Sequence, residues 1–174
     1  MARNNTFLLE NVGIAPAAGT TIAEYGNRKQ HTSVITIDTT LPAIAGGANL
    51  AVGKLIGTLP AGPVRITSTN MSVSIKQTQG NITADTPDVG IGTTIGSGVV
   101  AVLGGTAAFE NILTGQTAAD CDGTATVKLL GTELIIAAAD AHTIYLNVAD
   151  GWAASGDAAA ILRGTVEINW EYYA

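Results

Sequence analysis

Few side chains in this sequence could carry out acid–base, nucleophilic or metal chemistry. The 174 residues include two histidines and one cysteine, and 13% of the residues are charged. His31 and His142 are far apart in the sequence, and neither has the spacing of a metal-ligand pair. Cys121 lies between Asp120 and Asp122, whose carboxylates should make it a poor thiolate. We therefore predict that the protein is not an enzyme and that it binds no cofactor and no metal ion.

Three short segments resemble ligand-binding loops, and each departs from its pattern. Residues 47–54 (GANLAVGK) resemble a phosphate-binding loop, but the glycine spacing is off by one and Leu55 replaces the required Ser or Thr. The glycines of residues 90–98 do not match the dinucleotide-binding spacing. Residues 120–124 (DCDGT) resemble half of a calcium loop, but Gly131 stands where the completing glutamate belongs. An Asp-Gly turn is the favoured interpretation of this last segment, and a small metal-dependent module or enzyme using it stays an alternative.

The composition favours one β-rich domain made in a reducing compartment. Apolar residues make up 47% of the chain but aromatic residues only 5%, and Ala, Gly, Thr, Val and Ile dominate. A single cysteine cannot form an internal disulfide, which favours synthesis in a cytoplasm. The N-terminal sequence has no signal-peptide core, and no stretch approaches the ~20 apolar residues of a membrane span. We expect no membrane partner.

The net charge of −6 is distributed unevenly along the chain. Residues 1–80 have a net charge of +3, and residues 81–174 have one of −9. Either the surface charges are simply scattered, or the molecule has a basic face for an acidic partner and an acidic face toward water. No basic cluster is larger than the pair Arg28–Lys29, so we expect no nucleic-acid partner.

Several segments have the alternation of half-buried strands. Residues 31–38 place Ser33, Ile35 and Ile37 on one face, and residues 165–173 alternate apolar and polar side chains. In residues 63–77 the apolar positions change from even to odd numbers, which predicts a bulge near 68–70.

Other segments are assigned from their turns and composition. Residues 124–130, 133–138 and 143–149 are predicted to form a three-stranded meander. Residues 80–98, rich in Gly, Thr and Asp, are predicted to form a long loop. Short helical turns are expected after Thr106 and after Asp157, although the second segment could instead lead directly into the last strand.

About eight strands with frequent turns predict an all-β fold. We expect a two-sheet antiparallel sandwich, with jelly-roll connectivity, over residues 31–174. Residues 1–30 lack a sustained period and are predicted to form an extended N-terminal arm.

The aromatic residues near the C-terminus divide into two groups. Trp170 and Tyr172 share the apolar face of their strand and are expected in the core. Tyr145 and Tyr173 fall on the opposite faces and, with Trp152, are candidates for an interface or for stacking on sugar rings.

Residues 143–174 (TIYLNVADGWAASGDAAAILRGTVEINWEYYA) resemble the C-terminal ends of small β-sandwich decoration, or cement, proteins of tailed bacteriophages. The shared features are a strand ending in Asn-Val-Ala-Asp, a Trp, a small-residue loop and a final Gly-Thr-Val…Trp strand. This resemblance covers about a fifth of the chain, and the first residues, MARNNTFLLENVG, also resemble the arm of a phage structural protein. It implies a jelly-roll homotrimer on the outer surface of an icosahedral capsid, made in the host cytoplasm, with the major capsid protein as partner.

Candidate contact residues follow from this resemblance and from the charge pattern. Arg3, Phe7 and Leu8 in the arm, with the pair Arg28–Lys29, are the candidates for contact with the capsid. The alternative function is a receptor- or glycan-binding module of a phage tail or bacterial surface, using Tyr145, Trp152 and Tyr173.

Overall fold

The chain forms strands throughout the part that the computed structural model describes, which is residues 13–27, 29–45, 51–96, 103–104, 108–128, 133–149 and 156–173. These ranges contain eleven strands and no helix, which confirms the all-β prediction. Within these ranges there is accordingly no helix that could span a membrane. The strands are β1 (Ala15–Pro16), β2 (Thr20–Gly26), β3 (Gln30–Thr40), β4 (Val52–Thr58), β5 (Val64–Lys76), β6 (Asp88–Gly92), β7 (Leu113–Thr117), β8 (Asp122–Lys128), β9 (Leu134–Ile136), β10 (Thr143–Ala149) and β11 (Ile161–Tyr172).

The strands form two antiparallel sheets that pack into a sandwich. Sheet A has the order β1–β4–β10–β6–β7, and sheet B has the order β2–β3–β11–β5–β8, with β9 also paired to β5. Without β1, β2 and β9, eight strands remain. They pair first with last (β3 with β11), second with seventh (β4 with β10), third with sixth (β5 with β8) and fourth with fifth (β6 with β7). This is the pairing of a long hairpin folded into two sheets, so the predicted jelly-roll connectivity is confirmed.

The core lies between the two sheets and is built from alternating residues of their strands. On β11 the side chains of Leu162, Val166, Ile168 and Trp170 are buried, as the alternation predicts. Tyr172, at the end of the same face, is half-buried against this core. Because β11 pairs with β3 on one side and β5 on the other, it forms the centre of sheet B.

The predicted change of phase in β5 is a bulge at Thr67. Asn169 pairs with Ser68, but Trp170 pairs with Ile66, so Thr67 is the extra residue, next to the predicted segment. The buried positions are Val64 and Ile66 before the bulge and odd-numbered residues from Thr69 onward.

The meander prediction is wrong. Strands β8 and β9 both pair with β5, which is 13 residues long and accommodates them one after the other. Strand β10 belongs to sheet A. The short connections before β9 and β10 therefore do not form hairpins, because β8 and β9 lie one after the other along β5 and the chain then crosses to sheet A.

The prediction of one long loop over residues 80–98 is also wrong, because β6 lies within it and is paired on both sides. Its Gly90 and Gly92 carry no side chains, so they give no alternation. The helical turn predicted after Asp157 is wrong as well, because Asp157 makes a β-bridge with Ile44 and β11 begins at Ile161. The predicted turn after Thr106 begins outside the described residues.

Residues 13–27, which belong to the segment predicted as an arm, add one strand to each sheet. β1 pairs with β4, and β2 pairs with β3. The side chain of Ile14 is buried in the core between the sheets.

Candidate functional site

The side chains of residues 120–124 that could carry chemistry, Cys121 and Asp122, have structural roles in the fold. Cys121 is fully buried. Burial raises the pKa of its thiol to about 12, and the carboxylates of Asp85 and Asp120 add to this effect. Asp122 forms the expected turn, in which its Oδ1 accepts a hydrogen bond of 2.8 Å from the backbone N–H of Thr124. Hydrogen bonds from Thr124 lower the pKa of Asp122. In the part of the chain with described coordinates, no group of three or more His, Cys, Asp or Glu side chains could hold a metal ion.

Cys121 is therefore expected to resist alkylation while the protein is folded. At pH 8, iodoacetamide should label the native protein roughly a thousandfold more slowly than the protein unfolded in urea, because the thiolate is the nucleophile and the thiol pKa rises from 9.0 to about 12. Mass spectrometry of a labelling time course measures both rates. Equal rates in the two states would contradict the buried position of this thiol.

A buried polar cluster lies inside sheet B near the β2–β3 turn. The ring of His31 stacks on Trp170, with centroids 4.0 Å apart, and its Nδ1 lies 3.3 Å from Oε1 of Glu24. Ser33 donates a 2.8 Å hydrogen bond to Glu24 and accepts one of 2.7 Å from Nε1 of Trp170. The Ser33 hydroxyl donates to Glu24 and not to His31, so the cluster lacks the serine–histidine contact of a hydrolase triad. It joins β2 to the centre of sheet B.

The outer face of sheet B, directed away from the core, carries two rows of side chains at this end. Each row follows the register from strand to strand across the sheet. The first row is Tyr25, Thr32, Asn169 and Ser68; the second is Gln30, Glu171, Arg65 and Ile135. The bulged Thr67 lies beside both rows.

A cavity of about 370 Å³ opens at these rows, and we call it the outer-face cavity. Its lining includes the polar residues Asn27, Gln30, Thr32, Thr67, Asn169 and Glu171. Strands β3, β5 and β11 and the β2–β3 turn supply these residues, so the cavity lies between the bulge of β5 and the β2–β3 turn. Sequence reasoning missed it, since its residues come together only through register.

The lining of the cavity is fixed by hydrogen bonds within the sheet. Thr32 donates to Oδ1 of Asn169 over 2.6 Å, and Nδ2 of Asn169 donates to Oγ of Ser68 over 3.0 Å. Thr67 donates to the backbone carbonyl of Asn169 over 3.1 Å. These bonds orient the side chains before any ligand arrives.

Ion pairs on the outer face of sheet B join charges from the two halves of the sequence, and the pairs of Arg65 lie beside the cavity. Arg65 contacts Glu133 at 2.8 Å and Glu171 at 3.2 Å, and Arg163 contacts Asp38 at 2.8 Å. The hydrogen bond from Arg65 to Glu133 raises the pKa of the guanidinium, and Glu171 acts in the same direction. In each pair a basic residue from one half of the sequence contacts an acidic residue from the other half. This is contrary to separate basic and acidic faces on the molecule.

The described residues of the β6–β7 connection cover part of the outer face of sheet A, and Asn147 on β10 holds this cover. Asn147 is fully buried although its side chain points away from the sandwich core. Its Nδ2 donates to the carbonyls of Thr94 (2.9 Å) and Phe109 (2.8 Å), and its Oδ1 accepts from the N–H of Gly96 (2.6 Å). One side chain thus binds both ends of the connection.

Small residues let this cover approach the sheet. A Cβ on Gly53 would lie 2.7 Å from Cγ1 of Ile95, and one on Gly92 would overlap the backbone of residues 108–109. Leu103 and Phe109 then pack with Ala51 and Ala149 in a second, small hydrophobic cluster. Gly90 and Gly92, which remove the alternation of β6 from the sequence, therefore have a packing role.

Asp157 joins the β5–β6 connection to the start of β11. Its buried carboxylate accepts hydrogen bonds from the N–H of Thr78 (2.7 Å), the hydroxyl of Thr78 (2.8 Å) and the N–H groups of Gln79 (3.0 Å) and Ala159 (2.9 Å). Burial alone would raise the pKa of Asp157, but these hydrogen bonds outweigh it and lower the pKa below its usual 3.8.

Replacing Asp157 with asparagine should destabilise the fold by roughly 2–3 kcal/mol at pH 7, because a charged acceptor of several hydrogen bonds is lost. A lowered folded-state pKa stabilises the native state above the unfolded-state value, and this contribution is lost as the pH falls through the folded-state pKa. The stability difference between the wild type and Asp157→Asn should therefore shrink below about pH 3.8. Urea unfolding at several pH values measures it, and a difference independent of pH would contradict the ionised state.

The predicted contact residues are distributed over several places. Arg3, Phe7, Leu8, Arg28 and Trp152 lie outside the described residues. Lys29 is exposed in the β2–β3 turn, and its carbonyl accepts a hydrogen bond from the N–H of Tyr172. Tyr173, 46% exposed, follows β11 at the same end of sheet B. Tyr145 is half-buried on sheet A, so the structure brings Lys29 and Tyr173 to one end but not Tyr145.

Comparison with known proteins adds one structural similarity. No protein-family model and no curated protein sequence matches the chain. Among solved structures, it is similar to one titled "Cyanophage Pam1 capsid asymmetric unit", with a TM-score of 0.44 and 12% identity over 99% of this chain and 100% of that chain. The fold assignment rests on the strand pairing described above and not on this similarity.

Proposed function

We propose that the protein is a structural virion protein that decorates the outer surface of an icosahedral capsid and stabilises it by bridging major capsid protein subunits. The observation that carries this proposal is the position of residues 143–174, the stretch that resembles decoration proteins. This stretch contains β10 and β11, which lie at the centres of sheets A and B and are each paired on both sides. The resemblance therefore covers the central strand of each sheet.

The composition of the chain supports a passive binding role. The 21 glycines and the abundant alanines allow close approach of backbones at an interface, and they lose little side-chain entropy when an interface forms. Contacts repeated around a capsid symmetry axis would raise the overall affinity of the assembly above that of each single contact through avidity.

Binding to capsids that lack this chain tests the proposal. The full-length chain should co-sediment with such capsids, and a variant without residues 1–12 should lose binding while it keeps its melting temperature. This deletion removes Arg3, Phe7 and Leu8 but leaves β1 and the buried Ile14 in place. No co-sedimentation of the full-length chain would contradict the decoration role, and full occupancy by the shortened chain would contradict contact through residues 1–12.

A matched pair of lysine substitutions tests the other described contact candidate. Lys29→Gln should weaken co-sedimentation with capsids, whereas Lys76→Gln, which removes an equal charge at an exposed position at the end of β5, should not. Light scattering would test the proposed homotrimer, whose mass is expected near three times 17.6 kDa.

A further inference from the structure

We propose that the outer-face cavity binds a neutral saccharide, with Tyr25 stacking on a sugar ring and the polar lining bonding to its hydroxyl groups. This inference does not depend on capsid binding. The cavity volume of about 370 Å³ lies at the lower end of the range of roughly 300–1,000 Å³ found for small-molecule sites.

An exposed aromatic ring flanks the cavity. Tyr25 is 55% exposed, lies directly opposite Thr32 in the β2–β3 register, and immediately precedes Gly26 and Asn27 of the cavity lining. Its side chain is on the outer face, because its neighbour Glu24 faces inward toward His31. An exposed tyrosine face beside a polar hollow offers the apolar surface on which a pyranose ring stacks.

The lining presents both donors and acceptors that are not used within the sheet. Oδ1 of Asn27 already accepts from the N–H groups of Lys29 and Gln30, which leaves its amide nitrogen free to donate. Thr32 and Thr67 use their hydroxyl protons within the sheet, so their lone pairs can accept. The side-chain amide of Gln30 makes no hydrogen bond to the described residues, and it can both donate and accept. Sugar hydroxyls also donate and accept, which matches this mixed set.

The charge of the site favours a neutral ligand over an anionic one. Glu171 is the acidic residue of the lining, and Arg65 compensates it from outside the cavity at 3.2 Å. Among the described residues no Lys or Arg lines the cavity, and His31 of the lining is buried beside Glu24, so these residues offer no free opposite charge to a phosphate or sulfate group. Pre-oriented, uncharged polar groups reduce the ordering cost of binding a flexible polar ligand.

The test uses the full-length chain, a printed glycan array and two-dimensional ¹⁵N–¹H spectra. The spectra are recorded with methyl glycosides of glucose, galactose, mannose and N-acetylglucosamine up to about 10 mM, which detects dissociation constants near 1 mM. At least one array glycan or methyl glycoside should bind and should shift the amide signals of Gln30, Thr32 and Asn169.

Two exposed variants and one control make the site assignment specific. Tyr25→Ala should weaken binding roughly tenfold through loss of the stacked ring, and Gln30→Ala should weaken it several-fold. Tyr145→Ala removes a tyrosine ring on sheet A, the sheet that does not form the cavity, and should leave affinity unchanged.

Three results would overturn the proposal: no saccharide bound on the array or in solution, affinity unchanged by Tyr25→Ala, or shifts confined to another surface. Inorganic phosphate shifting the same signals more strongly than any sugar would also overturn it. Capsid co-sedimentation of the Tyr25→Ala variant is measured separately, so that failure of this site and failure of the decoration role are distinguishable.

Discussion

Replacing Gly164 with alanine is expected to destabilise the protein by at least roughly 3 kcal/mol. Gly164 is the fourth residue of β11, the central strand of sheet B, and its φ of +143° is a conformation that costs other residues about 1–3 kcal/mol. Its Cβ would also lie 2.6 Å from Cα of Val73 and would overlap the carbonyl of Ser72 on the neighbouring β5. The backbone of a central strand cannot move aside without disturbing both of its partners, so steric overlap adds to the strain.

Gly62→Ala is the matched control for this prediction. Gly62 has φ of +107°, but no atom lies within 4 Å of the position of its Cβ, so this variant has backbone strain without overlap. Urea unfolding should show a loss of about 1–3 kcal/mol for Gly62→Ala and a clearly larger loss for Gly164→Ala. Equal losses would mean that β5 yields to the new methyl group.

The second large effect is expected for Asn147→Leu. Leucine has a similar size but leaves the buried N–H of Gly96 and the carbonyls of Thr94 and Phe109 without their partner. The two fully buried groups, the N–H of Gly96 and the carbonyl of Phe109, each cost about 1–3 kcal/mol, and the part-buried Thr94 carbonyl costs less, so a total loss of roughly 3–5 kcal/mol is expected. For a chain of this length, this corresponds to a fall in Tm on the order of 10 °C.

The loss should be concentrated in the cover of sheet A. Hydrogen exchange should accelerate most at residues 93–96 and 108–112, while the amides of β3 and β11 in sheet B change less. Asn81→Leu is the control, because Asn81 is exposed and its side chain makes one hydrogen bond, to the carbonyl of Gly156. If Asn147→Leu and Asn81→Leu had the same Tm, Asn147 would not be the residue that holds the cover.

The parts of the fold that follow from local periodicity were accessible from the sequence. The alternation in residues 165–173 identifies β11 and its buried face, because a strand with one solvated face has a period of two residues. The shift of phase in β5 locates the bulge to within a residue, because parity along a strand changes only where a residue is inserted. The strand count and turn density then indicated a sandwich.

Pairing partners were not accessible in the same way. The short connections before β9 and β10 suggested hairpins, but whether a strand stays in one sheet or crosses to the other depends on contacts distant in the sequence. Strand β6 was missed because Gly90 and Gly92 remove the side chains that reveal a period. Their packing role becomes visible only when the cover over sheet A is in place.

The candidate site depends on the same distant contacts. Thr32 and Asn169 are 137 residues apart in the chain, so no local pattern joins them in one cavity. Tyr25 was not distinguished from other surface residues, because its importance comes from its position opposite Thr32. Asn147 offered a local sign, since it is a polar residue within an apolar strand, but the sequence did not show which groups it binds.

The central position of β11 has a consequence for how the chain is synthesised. A ribosome releases β3 and β5 long before β11, which must then enter between them. Until it does, both strands expose unpaired edges on which another chain could assemble. A topology dominated by such distant pairings folds slowly, on the order of milliseconds to seconds. Nascent chains that stall before residue 161 would therefore be prone to aggregation, and chaperones would be expected to bind them.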